Sequence, residues 1–127
     1  MALKVAVAKK QDGVFLVSPV GSIDSYTYVE FEERMDEILG SPVKVIVVDM
    51  EGVDFISSRG ISAIFKAKKA VEKAGGSFLM LGLQPQVKQV FEIIKVLPTM
   101  KVFESVEALD AYLAKIQRGG TERQEEP

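Results

Sequence analysis

Residues 43–48 read VKVIVV, five valine or isoleucine side chains interrupted by one lysine, between the stop signal Gly40-Ser41-Pro42 and an aspartate at 49. A run this short and this β-branched suits a strand buried on both faces, and a strand of that kind belongs inside a parallel sheet covered by helices. The segments C-terminal to it support that placement. A helical pattern spans Ser58 to Ala74, with Ile61, Ile64, Phe65, the stem of Lys68 and Val71 on one side and alanines at 63, 67, 70 and 74. Small residues at that spacing allow close approach to a sheet. Gly75-Gly76 ends the helix and Ser77 to Gly82 (SFLMLG) forms another short apolar strand. Strand, helix and strand of these lengths predict a parallel crossover.

The flanking segments extend the pattern. Leu3–Ala8 and Val14–Val20 are β-rich runs around Gln11-Asp12-Gly13, a hairpin signal, and Pro19 suits a strand that is ending or lies at an edge. From Ser25 to Leu39, Tyr28, Phe31, Met35, Ile38 and Leu39 recur at helical spacing among acidic residues. A third helix is expected from Pro85 to Lys95 and a brief strand at Lys101–Phe103. A last helix is expected from Ser105 through Ile116. The order ββαβαβαβα predicts an α/β fold: a mixed sheet, with an N-terminal hairpin and then parallel crossovers, covered by about four helices. One domain is expected over residues 1–117, with 118–127 (RGGTERQEEP), which has no apolar residue, as a disordered polar tail.

Composition narrows the chemistry. The 127 residues contain no cysteine and no histidine, which removes disulfides, thiolate metal sites, cysteine nucleophiles and histidine-based triads. The net charge of −2 offers no global field for nucleic acid, and no apolar run approaches the ~20 residues of a membrane span. A cytoplasmic protein without metal or cofactor is expected. Asp49, Glu51 and Asp54 stand near the carboxyl end of a central strand, where α/β sites gather, yet acids in such loops also serve solubility. The glycines at 75, 76 and 82 match no phosphate-cradling motif. An enzyme is not expected.

Charge is divided unevenly. Residues 25–39 carry five acids against Arg34, net −4, whereas residues 57–74 carry five cations against Glu72, net +4. Two solvated faces explain this, and so does a bipolar surface that steers a protein partner. The most informative segment is Phe55-Ile56-Ser57-Ser58-Arg59-Gly60-Ile61, two adjacent hydroxyls at a strand-to-helix handover. One of them suits the N-cap, Ser57 being better placed, which leaves Ser58 in the first turn with its hydroxyl free. A phosphoryl group on Ser58 would add about −1.5 to −2 charges beside unpaired N–H donors, so the helix would tolerate it while a partner docked there would not.

Four features together resemble the STAS domain, the sulfate-transporter and anti-sigma-factor-antagonist family, and especially its small free-standing bacterial members. They are Gly21-Ser22-Ile23-Asp24; the VIVVDMEGVDFISSRGISAI stretch; Gly75-Gly76 before SFLMLGLQPQVKQVFEI; and FESVEAL ahead of the last helix. The family's phosphorylation motif is similar to Asp-Ser-Ser/Thr-Gly-Leu. Here Ser57 falls on the aspartate, Ser58 on the phosphoacceptor, Arg59 on the small residue, Gly60 is retained and Ile61 stands for leucine. The resemblance implies a non-enzymatic regulator of transcription that binds a serine-kinase anti-sigma factor and releases it when Ser58 is phosphorylated. The implied contact face comprises Asp24, Ser25, Tyr26, Asp54, Ser57, Ser58, Arg59 and Gly60. An alternative within the same family is a small-ligand or lipid-transport accessory module without a phospho-switch. Arg59, able to pair with a phosphate, and the missing charge at Ser57 bear on that choice.

Overall fold

The computed structural model describes residues 3–93 and the strand at 101–103. β1 (Lys4–Gln11) and β2 (Val14–Ile23) form the expected antiparallel hairpin, turning at Asp12-Gly13, where Gly13 has φ 77°. Next along the chain come α1 (Tyr28–Ile38), β3 (Val45–Asp49), β4 (Val53–Ile56), α2 (Ser58–Lys73), β5 (Ser77–Leu81), α3 (Pro85–Ile93) and β6 (Lys101–Phe103). The sheet order is β1-β2-β3-β5-β6, with β4 pairing β2 beyond the end of β3. Every pairing after the hairpin is parallel. The architecture is therefore a mixed α/β sheet with helical cover, as the sequence predicts.

Four details differ. Pro19 does not end β2, which continues to Ile23. It is tolerated because β2 pairs with β3 only as far as Val17 and takes up β4 at Gly21, so the proline falls between the two ladders. β4 is an additional strand inside what reads as a loop. α1 starts at Tyr28 rather than Ser25, since residues 25–27 form a turn. Three helices are described, and the expected fourth, with the tail at 118–127, lies outside the described residues.

β3 shows why its sequence is so apolar. Ile46 and Val48 face the main core, together with Phe31, Met35, Ile64, Val71 and Phe91 from the three helices. Val45 and Val47 point the other way into a second cluster with Val14, Leu79 and Leu81. Alternation by two distributes one strand between two interiors.

The junction that matters for the site is where α2 meets β2. Gly60 lies in the first turn of α2 against the end of β2, and a Cβ there would lie 2.5 Å from the carbonyl oxygen of Ile23 and 2.8 Å from Ile56 Cγ1. Alanine in place of a helical glycine normally gains about 0.5–1 kcal/mol. Here the overlap dominates, so Gly60→Ala is expected to destabilise by about 1–3 kcal/mol, read as a lower urea midpoint at unchanged m-value.

Candidate partner-binding face

Two chain segments, residues 22–28 and 54–60, are tied together at one end of the sheet. The Ser22 hydroxyl donates to Asp54 Oδ1 at 3.0 Å. The Ser57 N–H donates to the Ile23 carbonyl at 2.9 Å. Arg59 Nη1 donates to the Tyr28 hydroxyl at 2.7 Å, with the guanidinium carbon 5.2 Å from the centre of the Tyr28 ring. A side chain, the main chain and a stacked pair thus cross the gap in succession.

Ser57 is the N-cap. Its backbone is extended (φ −95°, ψ 176°) and its Oγ accepts the N–H of Gly60 at 3.2 Å. Ser58 opens the helix and is exposed. The neighbouring hydroxyls therefore differ in work: one satisfies the backbone, the other faces outward.

Asp24 organises the second segment. Its Oδ1 accepts the N–H groups of Tyr26 and Thr27, each at 2.9 Å. Thr27, 4% exposed, donates its hydroxyl to the Ser22 carbonyl at 2.7 Å and accepts the Asp24 N–H at 2.9 Å. The N–H of Tyr26 first, and then that of Thr27, hold the Asp24 carboxyl below its ordinary value of 3.8. The turn leaves Ser25 exposed and Tyr26 86% exposed.

Of the residues expected to share a face, Ser57 and Gly60 turn out to build it, whereas Ser25, Tyr26, Ser58 and Arg59 are presented on it. Asp54 is exposed and engaged by Ser22, and its carbonyl accepts from Gln86 Nε2 at 3.2 Å. Asp49 and Glu51 are used locally: Asp49 Oδ1 accepts the Glu51 N–H at 3.0 Å, and the Glu51 side chain packs over Gly82. No metal-binding cluster of acids occurs among the described residues. Phe55, in the segment singled out from sequence, is 52% exposed on β4. Tyr28 packs against the core as expected, and its hydroxyl, which was not assigned a role from sequence, accepts from Arg59.

The STAS domain model matches residues 5–109, and the chain belongs to the STAS domain family. An anti-sigma-B factor antagonist of Staphylococcus aureus is 28% identical over 97 residues, covering 76% of this chain and 90% of that protein. The solved structure of the anti-sigma factor antagonist SpoIIAA in its unphosphorylated form superposes with a TM-score of 0.74 at 18% identity, covering 87% of this chain and 97% of that one. The Bacillus cell fate determinant SpoIIAA in the phosphorylated form gives 0.68 at 17% identity, covering 86% and 99%. The chain is an anti-sigma-factor-antagonist-like STAS domain.

The two serines are expected to separate in a stability measurement. Ser57→Ala loses the cap and costs about 1 kcal/mol, while Ser58→Ala stays within about 0.5 kcal/mol of the parent. Equal losses in thermal or urea unfolding would contradict the assignment of Ser57 as cap. Asp24 offers a second check. A depressed carboxyl contributes stability that is complete above its unfolded value and disappears as pH falls through the lower folded one. Its carboxyl carbon is expected to titrate in NMR below 3.8.

Proposed function

We propose that this chain regulates transcription by binding a protein partner, an anti-sigma factor of the serine-kinase type, through the face that carries Ser58, and that phosphorylation of Ser58 ends the contact. The observation that carries this reading is the division of labour at α2: Ser57 holds the cap and Ser58 stays exposed, on one of two cross-tied segments that also carry the exposed Tyr26 and Phe55. An exposed uncharged hydroxyl, on segments that also expose aromatic side chains, suits a protein interface.

In the reaction, the Ser58 oxygen attacks the γ-phosphorus of ATP, ADP leaves and the hydroxyl proton is lost to solvent. The product carries about −1.5 to −2 charges at the positive end of α2, so the fold accommodates it. A partner seated on the same spot would have to bury that dianion, a cost of several kcal/mol. Arg59 does not cancel the effect for nothing, because reaching the phosphate means leaving the 2.7 Å bond and the ring of Tyr28. In this role the protein works in the cytoplasm of a bacterium, by binding rather than by catalysis. No helix among the described residues is long and apolar enough to cross a membrane.

The test uses the intact chain with the serine-kinase anti-sigma factors encoded in the same genome. With ATP, wild type is expected to gain the mass of one phosphate and Ser58→Ala none. In pull-downs without ATP, wild type and Ser58→Ala retain the kinase, and Ser58→Asp loses it at least tenfold. Equal retention by all three forms, with no phosphate on Ser58, would overturn the proposal.

A further inference from the structure

α1 and α2 lie side by side on one face of the sheet and run in the same direction, because each connects parallel strands. Glu32 and Lys66 are level with one another, their Oε2 and Nζ atoms lying 3.8 Å apart. Between the helices runs a shallow groove floored by Met35, Leu39, Ala63, Ala67 and Ala70. The outer surface of α1 presents Glu30, Glu33 and Asp36, all exposed and without an ion pair among the described residues. Glu37 is already taken by Arg34 at 2.7 Å, and Lys68 by Glu72 at 3.0 Å. The outer surface of α2 presents Lys66, 73% exposed, with Lys69 and Lys73 unpaired among the described residues.

We infer that this two-helix face is a self-complementary surface whose occupant is a second copy of the chain. A two-fold axis along the groove sets α1 of one copy over α2 of the other, parallel and at the same height. Glu33 then opposes Lys66 of the second copy, Asp36 opposes Lys69, and symmetry repeats both pairs. A two-fold axis perpendicular to the helices instead sets acid on acid and base on base, so charge selects one geometry. The arrangement closes on itself, giving a dimer rather than a filament. The small side chains of the groove lie along the axis and let the two copies approach. Exposed ion pairs are individually weak, so the association is modest and strongly salt-dependent.

The test measures solution mass by sedimentation equilibrium, in a dilution series reaching about 1 mM. At about 0.01 M salt the mass is expected to rise from 13.9 kDa toward twice that value, and at about 0.5 M salt to return to the monomer. K66E/K69E/K73E and E30K/E33K/D36K, each checked for folding by circular dichroism, are each expected to be monomeric at low salt. Mixed in equal amounts they are expected to associate again, since an all-acidic face meets an all-basic one. Should either variant fail to fold, Lys69→Glu alone is expected to weaken wild-type association at least threefold. A wild-type mass that stays monomeric at low salt overturns the inference, as does dimerisation indifferent to Lys69→Glu or a mixture of folded variants that does not associate. Ser58→Asp leaves the association unchanged under this geometry, which separates it from the partner-binding proposal.

Discussion

The carbonyl of Ile23 is the point on which the site depends. It ends β2, accepts the N–H of Ser57, and lies so close to Gly60 that no side chain fits between them. A strand end and a helix start are thereby brought together with no side chain intervening, and both neighbouring segments inherit their positions from that contact. Beyond Ile23 the chain turns at once into the Asp24 loop. Beyond Ser57 it turns at once into α2. Ser57, just before α2, and Ile23, just before the Asp24 loop, are joined through one backbone hydrogen bond, which brings the two segments together.

The same contact explains why two adjacent serines behave differently. An N-cap residue has extended backbone and aims its side chain back at the first turn, whereas the next residue is helical and aims outward. Ser57 has the first geometry because its N–H is already committed to β2. Exposure of Ser58 results without any feature of its own. The apolar stripe of α2 (Ile61, Ile64, Ala67, Val71) then holds the helix on the sheet, so the exposed turn stands on a rigid support. A residue held this way would bind a partner, as proposed for Ser58, without a large ordering cost.

Much of this was legible in the chain itself. The VIVV run of β3, the alanine-rich helix after it and the SFLMLG strand could hardly be arranged otherwise, because their periods and lengths agree with one architecture. The Ser57 cap and the exposed Ser58 were legible for the same local reason. β4 was not, since Val-Asp-Phe-Ile has neither strict alternation nor length, and its existence depends on a long-range pairing with Gly21–Ile23. The late start of α1 was hidden because the Asp24 carboxylate takes amide protons that a helical turn would otherwise leave to water. The Arg59–Tyr28 contact joins residues 31 positions apart, and helical spacing reports only that the Tyr28 ring packs against the core, as it does, and nothing of its hydroxyl.

Distance decides how the charges of α2 act. Ser58 and Lys66 are eight residues apart on one helix, about 12 Å along the axis. At physiological ionic strength charges are screened over about 8 Å, and both ends of that interval are exposed. A phosphate on Ser58 therefore does little to neutralise the lysines further along. Its effect would be confined to a partner covering the first turn, where desolvation removes the screening and the full cost of a buried charge appears. Arg59 is the one cation of α2 within that range, and Tyr28 holds it by hydrogen bond and ring contact. A helix can thus carry a charge-sensitive contact at its first turn and a separate electrostatic surface along its body, with water and salt between them acting as the insulator.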